Sequence, residues 1–110
     1  MGGDQTRAFC FIEDAVRATQ LVMESSHTAG EIIHIGNDRQ EIAMIDLAKM
    51  LFDLIGHCPE IAIEPSPEGS VERRCPDIKK LQSLTGYEPR VRLEEGLLRV
   101  YEYCKNDLQA

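Results

Sequence analysis

The chain has 110 residues, 43% of them hydrophobic, and its 12 Lys and Arg against 19 Asp and Glu give a net charge of -7. This length and hydrophobic content are typical of one globular domain, which we expect over residues 1–110. The acidic balance argues against nucleic acid or an anionic membrane surface as a partner, because both attract clustered Lys and Arg.

Membrane spans, secretion and metal binding are not expected from the sequence. No run of about 18 apolar residues occurs, so no transmembrane helix is predicted. Residues 1–4 lack the basic and apolar regions of a signal peptide, and we expect a soluble, cytoplasmic protein. The cysteines form no CxxC pair and have no metal-type histidine spacing, so free, reduced thiols are predicted. They are Cys10, Cys58, Cys75 and Cys104.

The first part of the chain predicts a strand followed by a helix. Residues 6–12 alternate short, apolar and aromatic side chains, and the apolar positions after them recur at helical spacing. Glu13 and Asp14 lie where this helix begins, and capping explains them better than acid/base catalysis. Phe9 and Phe11 share one face of the strand, which favours packing over stacking on a base.

A second strand and a second helix are predicted next. Residues 31–37 are a β-branched run closed by Gly-Asn, which is typical of a buried, parallel strand. His34 lies within it and is expected to be a packed core histidine rather than a base. Apolar residues at intervals of three and four predict an amphipathic helix over 43–55. Its N-cap is expected to be weak or supplied by Asp38.

The last part predicts one more strand and two helices. Residues 61–64 alternate as a short strand, and a proline-punctuated loop, 65–70, cannot continue it. One helix is predicted to begin at Pro76-Asp77 and another at Leu93, where Glu94-Glu95 again suit a helix start. The order β-α-β-α-β-α-α is an α/β arrangement.

Two arginine-bearing segments are the strongest sign of function. Arg7 lies in one, and Arg73-Arg74 lie in the other, just before Pro76-Asp77. Guanidinium groups donate parallel hydrogen bonds to phosphate oxygens, which lysine cannot do, so arginines from separate segments suit a diphosphate. The alternative is that these arginines are surface residues paired with some of the 19 acidic groups.

With these segments, the chain resembles the C-terminal portion of the extended short-chain dehydrogenase/reductase family, whose NAD-dependent epimerases and dehydratases act on nucleotide-activated sugars. The Arg-Arg-x-Pro-Asp-Ile form is most similar to that of UDP-glucuronate decarboxylases. The resemblance covers nearly the whole chain. Its most specific parts are residues 3–9, 12–14, 35–37, 73–78, 84–89 and 93–97.

The resemblance implies a division of labour between two domains. An N-terminal Rossmann domain holds NAD with a catalytic Tyr and Lys, and a smaller C-terminal domain clamps the nucleoside diphosphate. This chain has neither a GxxGxxG turn nor a Tyr-x-x-x-Lys pair. It is therefore expected to lack the Rossmann domain, to bind no NAD alone and not to be catalytically competent by itself.

The resemblance also implies site residues. Arg7 matches the arginine that the family directs at the diphosphate, and Arg73 and Arg74 match the pair of which at least one contacts phosphate or ribose. Ser70 falls where relatives place a polar ribose contact. A UDP-sugar is the expected ligand, but the loop 66–70 lacks both the aspartates of the decarboxylases and the arginine of the epimerases, so the sugar and the reaction stay open.

Two alternative functions are compatible with the sequence, and the resemblance also implies an oligomeric state. The chain could be a free-standing module that binds nucleotide-sugars, or a protein-interaction domain in which the arginines are surface charges. In the family the strand at 31–37 joins the Rossmann sheet, so its edge would be exposed in the isolated chain. We expect the isolated chain to self-associate and the parent protein to be a homodimer.

Overall fold

A computed structural model describes residues 2–57 and 59–109. Within these ranges the fold has three short strands and four helices. The predicted thiol of Cys58 lies outside these ranges. After a 3-10 turn at Gly2–Asp4, the strands are β1 (Thr6–Ala8), β2 (Glu41–Ala43) and β3 (Arg73–Arg74). The helices are α1 (Ile12–Glu24), α2 (Met44–Ile55), α3 (Lys79–Thr85) and α4 (Leu93–Gln109). The predicted α/β class and the element order are confirmed.

The sheet has the order β2-β1-β3, with β1 antiparallel to β2 and parallel to β3. In the register of the parallel pair, Thr6 is opposite Arg73 and Arg7 is opposite Arg74. Side chains alternate between the two faces of a strand, and directly opposite residues share a face. The two neighbouring arginines of β3 therefore project from opposite faces of the sheet.

The predicted positions of the second and third strands were wrong. Residues 31–37 and 61–64 pair with no other strand in the described parts of the chain, and the strands lie instead at β2 and β3. His34 is exposed rather than packed in a core, and Ile32 beside it is 82% exposed. A β-branched run becomes a strand only when a neighbour takes its backbone hydrogen bonds, and no neighbour is described here.

The beginning of α1 also differs from the expectation. The strand ends at Ala8 rather than at residue 12, and the helix begins at Ile12. Glu13 and Asp14 lie in its first turn, so their predicted position at the positive end of the helix is confirmed, but the N-cap residue is Phe11 and makes no side-chain cap bond. Glu13 instead forms an ion pair with Arg99 of α4.

Helix α2 agrees with the predicted 43–55 to within one residue. Its N-cap, Ala43, makes no side-chain cap bond, so the weak cap is confirmed and the role suggested for Asp38 was wrong. The Met44 N–H instead donates to the Gln5 carbonyl at 2.8 Å, which ties the helix to the residue before β1. Gly56 ends the helix in a left-handed conformation with φ 72°.

Helix α3 begins three residues after the predicted Pro76. Its N-cap is Ile78, and the Asp77 carboxylate accepts a hydrogen bond from the Lys79 N–H at 3.0 Å. The Pro76-Asp77 pair thus forms the turn before the helix rather than its first residues. Ile78 enters the core directly after this turn.

The core lies between α1, α3 and the segment that follows α3. Its fully buried hydrophobic side chains are Ala18, Ile78, Leu81 and Tyr87, and they are flanked by Leu21, Val22 and Ile33. The radius of gyration is 16.5 Å, against about 13 Å for a compact domain of this length. The chain is thus less compact than such a domain, and several apolar side chains of α1 are exposed to solvent. In the described part of the chain, no helix has the length and hydrophobicity needed to span a membrane.

The hydroxyl group of Tyr87 lowers the stability of this core. The Tyr87 ring is fully buried under the Arg17 guanidinium, 4.7 Å from the ring centroid, but its hydroxyl has no hydrogen-bond partner among the residues that the structure describes. Burial, and then the nearby Cys10 thiol, raise the pKa of Tyr87. The phenol therefore stays protonated, and its hydroxyl is buried without a partner in the described part of the chain, which lowers stability.

We expect Tyr87→Phe to raise the free energy of unfolding by about 1 kcal/mol, because it removes the unpaired hydroxyl and keeps the ring. Chemical denaturation followed by circular dichroism measures the change. Tyr103→Phe, at an exposed position of α4, is the matched control and should leave stability unchanged. A loss of stability in Tyr87→Phe would show that the hydroxyl has a partner in solution.

Candidate functional site

Arg7 and Arg74 form a pair on one face of the sheet. They are opposite each other in the parallel ladder of β1 and β3, where neighbouring strands lie about 4.8 Å apart. Arg7 is half-buried, and its Nη1 donates to the Thr6 carbonyl at 2.7 Å. Arg74 is exposed and has no ion pair with another described residue. The register therefore places Arg7 and Arg74 at neighbouring positions on the same face.

Arg73 has a different environment on the opposite face. Its guanidinium donates two hydrogen bonds to the Glu41 carboxylate, from Nε and Nη2, each at 2.8 Å. The Thr6 hydroxyl donates to the same carboxylate at 2.6 Å. Hydrogen bonds from Arg73 and then Thr6 lower the pKa of Glu41, so the carboxylate stays ionised at neutral pH. The structure therefore separates Arg73 from the pair formed by Arg7 and Arg74.

Ser70 lies in an acidic cleft of about 700 Å³. Its backbone N–H donates to the Pro67 carbonyl at 3.1 Å, which closes the turn of the proline-rich loop. None of the three arginines lines this cleft. The polar groups that line it come from Asp4, Gln5, Glu64, Ser66, Ser70 and Glu72. Carboxylates repel a phosphate but accept hydrogen bonds from hydroxyl groups.

The described residues do not fit NAD. A dinucleotide needs glycines between a strand and the following helix, so that the backbone approaches the pyrophosphate closely. The connection from β1 to α1 is Phe9-Cys10-Phe11, and the two rings line an apolar groove with Gly96 and Leu97 of α4. This groove also agrees with the predicted packing role of the two rings.

Other catalytic or metal-binding groups are not brought together. Among the described residues, no three His, Cys, Asp or Glu side chains could hold a metal ion. Cys10, Cys75 and Cys104 are unpaired thiols. Burial raises the pKa of both Cys10 and Cys75, so neither thiol is activated as a nucleophile.

Glu41 is the residue that sequence reasoning missed. It lies far from Arg73 in the chain and belongs to a strand that periodicity did not indicate. Its Cα is opposite Ala8, and its side chain reaches across β1 to Arg73 on β3. No local sequence signal identifies such a contact, because it depends on the register of two strand pairs.

Comparison with curated proteins finds UDP-glucuronic acid decarboxylases among the relatives of this chain. UDP-glucuronic acid decarboxylase 1 of Xenopus tropicalis is 35% identical over 107 residues, which are 97% of this chain and 25% of the relative. UDP-glucuronic acid decarboxylase 6 of Arabidopsis thaliana is 38% identical over 95 residues, 86% of this chain and 27% of the relative. The chain thus spans about a quarter of the length of these relatives. No family model matches it.

Solved structures give a consistent result. UDP-glucose 4-epimerase of Thermotoga maritima with UDP-glucose aligns with a TM-score of 0.89 and 31% identity, over 98% of this chain and 34% of that one. UDP-glucuronic acid 4-epimerase of Bacillus cereus, in complex with UDP-glucuronic acid and NAD, gives 0.88 and 32%, over 94% and 33%. The resemblance is confirmed: the chain is similar in sequence to UDP-glucuronic acid decarboxylases and in structure to UDP-sugar epimerases, consistent with a C-terminal fragment of an extended short-chain dehydrogenase/reductase.

Proposed function

We propose that this chain is the substrate-binding part of an NAD-dependent enzyme that acts on a UDP-sugar, of the UDP-glucuronate decarboxylase type. Arg7 and Arg74 bind the diphosphate of that sugar nucleotide. The observation that carries the proposal is their position opposite each other in the β1–β3 ladder. Two guanidinium groups at neighbouring positions can donate parallel, charge-assisted hydrogen bonds to several phosphate oxygens.

The acidic cleft extends this proposal to the nucleoside. Gln5 and Glu72 line the cleft, and each lies two positions before one of the paired arginines. Residues two apart in an extended chain share a face, so the cleft opens beside the arginine pair. Its carboxylates and Ser70 suit the hydroxyl groups of a ribose. The phosphates would lie over the arginines and the ribose in the cleft.

In the longer parent protein, the cofactor would be bound outside this chain. NAD supplies hydride transfer in such enzymes, and the residues described here would contribute binding and orientation of the sugar nucleotide. The 110 residues would form a single substrate-binding unit of a cytoplasmic enzyme. The identity of the relatives favours UDP-glucuronic acid as the first sugar nucleotide to test.

We expect Arg74→Gln to weaken UDP binding at least about tenfold. A charge-assisted hydrogen bond contributes roughly 1.5–3 kcal/mol, and about 1.4 kcal/mol corresponds to a tenfold change in affinity. Isothermal titration calorimetry with UDP, and then with UDP-glucuronic acid, measures the effect. Arg7→Gln should cause a similar loss, since Arg7 lies opposite Arg74 on the same face.

Arg73→Gln is the matched control, because it removes the same charge from the adjacent residue. Its guanidinium is held by Glu41 on the opposite face, so we expect UDP affinity to change by less than about threefold. Equal losses in Arg73→Gln and Arg74→Gln would contradict the proposal, since they would indicate a general effect of charge.

A protein-interaction domain is the second candidate. It is favoured by the outer surface of α1, where Ile12, Val16 and Met23 are all more than half exposed. If this were the function, UDP would not bind measurably and substitution of Arg7 or Arg74 would leave partner binding unchanged. The UDP titration therefore separates the two candidates directly.

A further inference from the structure

A second cluster of arginines lines a cleft away from the β1–β3 ladder. The cleft has a volume of about 390 Å³ and lies between the segment before β2 and the segment before α4. No carboxylate lines it, although the chain carries a net charge of -7. Its lining residues are Asn37, Arg39, Gln40, Pro89, Arg90, Val91 and Arg92. Three of these lining residues are arginines.

Partly buried hydrogen bonds hold the two walls of this cleft in place. The Asp14 carboxylate, on α1, accepts hydrogen bonds from the Arg90 N–H at 3.1 Å and the Val91 N–H at 2.9 Å. Gln40 joins the walls, because its Oε1 accepts a hydrogen bond from the Leu93 N–H at 2.6 Å. The backbone that carries the arginines is therefore fixed before any ligand arrives.

Neutral donors complement the arginines. The Oδ1 of Asn37, which is buried, accepts a hydrogen bond from the Arg39 N–H at 2.9 Å. The carbonyl oxygens of both amide side chains, Asn37 and Gln40, are thus engaged, and their amide nitrogens are left to donate. Helix α4 begins directly after Arg92, so its positive end also faces this region.

The three arginines of the cleft differ in whether they form an ion pair. Arg39 forms an ion pair with Glu88 at the edge of the cleft. Arg90 and Arg92 are exposed, and neither has an ion pair within the described ranges. They lie on either side of a bend at Val91, and both line the cleft. The cleft therefore presents two guanidinium groups without a counter-charge and a third held by one carboxylate.

We propose that this cleft binds a dianionic phosphate group, either free phosphate or the terminal group of a phosphomonoester. Planar guanidinium groups and amide donors around a concave site match the several acceptor oxygens of a phosphate. The site shares no residue with the pair formed by Arg7 and Arg74. It does not depend on the function proposed above.

The test is titration of the 110-residue chain with inorganic phosphate at constant ionic strength, followed by calorimetry and by amide NMR shifts. We expect saturable binding, with the shifts concentrated at residues 37–40 and 89–93. The double variant Arg90→Gln/Arg92→Gln should bind phosphate at least tenfold more weakly. Both side chains are exposed, so the variant should retain the wild-type circular dichroism spectrum.

The matched control is Lys49→Gln/Lys105→Gln, which removes the same charge from exposed positions on α2 and α4. It should bind phosphate as the wild type does. Phenyl phosphate distinguishes the two ligand sources: tighter binding than inorganic phosphate supports a phosphomonoester, and equal binding supports recognition of the phosphate alone.

Three outcomes would overturn the proposal. They are no saturable binding by the wild type, equal losses in the two double variants, and shifts confined to residues 5–8 and 73–75. The last would assign phosphate binding to the pair formed by Arg7 and Arg74. It would support the function proposed above while removing this second site.

Discussion

Replacing Asp14 by alanine should lower the free energy of unfolding by about 3 kcal/mol. The carboxylate is 2% exposed, and it accepts hydrogen bonds from two backbone N–H groups and from the Arg17 guanidinium at 3.0 Å. The substitution leaves the two backbone N–H groups without an acceptor, and each unpaired buried group costs about 1–3 kcal/mol, whereas Arg17 keeps the Glu88 carbonyl as an acceptor. Denaturation by urea, followed by circular dichroism, measures the loss.

Asp46→Ala provides the control. Asp46 also lies in the first turn of a helix, α2, but it is exposed, so it shares the dipole interaction without the buried hydrogen bonds. We expect a loss of less than about 1 kcal/mol there. Equal losses in the two variants would mean that the helix dipole, rather than the buried contacts of Asp14, provides the stability.

The contribution of Asp14 should depend on pH in a definite direction. Burial raises its pKa, but hydrogen bonds from Val91, Arg17 and Arg90 outweigh this effect and lower the pKa below its usual range. A group whose pKa is lowered by folding stabilises the native state above its unfolded pKa, here about 3.9. The difference in stability between wild type and Asp14→Asn should be constant above about pH 5. It should shrink as the pH falls below about 4.

Leu81→Ala should destabilise the chain by about 3 kcal/mol as well. Leu81 is fully buried in a core that contains few other fully buried side chains, and its truncation leaves a cavity between α1 and α3. Since small domains have only about 5–15 kcal/mol of total stability, one such change removes a large share of it. Thermal and urea denaturation of the two proteins measure the loss.

Two comparison variants make this result interpretable. Leu108→Ala makes the same change at a position that is 86% exposed and should alter stability by less than about 0.5 kcal/mol. Leu81→Met keeps the volume and should cost less than about 1.5 kcal/mol. A small loss in Leu81→Ala would show that the core described here does not determine stability.

The helices were predictable because their signals are local. The apolar positions of α2 recur at helical spacing within the helix itself, and Gly56 marks its end. The strands were less predictable, because a strand is defined by its partner. Residues 31–37 have the composition of a buried strand, yet they lie beside no other strand in the described parts of the chain. The two-residue β3 has no periodicity that a pattern could detect.

The candidate site was only partly predictable, because strand pairing again determines where its residues lie. The resemblance identified Arg7, Arg73 and Arg74, but it could not tell which member of the adjacent pair shares a face with Arg7. That depends on the register between β1 and β3. The cleft lined by Arg39, Arg90 and Arg92 was not predicted at all, because its two walls are distant in the chain and are joined by contacts of Gln40 and of Arg39 that no local pattern indicates.

The contact between Arg73 and Glu41 has a wider consequence. Because β3 has only two residues, a shift of its register by one position would exchange the faces of Arg73 and Arg74. The Glu41 carboxylate binds Arg73 on one face of the sheet. This contact favours the register in which Arg74 lies on the opposite face, together with Arg7. Under the proposed function, the choice of the ligand-facing arginine would thus depend on Glu41, a carboxylate on the opposite face of the sheet. A substitution of Glu41 would then weaken ligand binding although both arginines of the proposed site, Arg7 and Arg74, stayed the same.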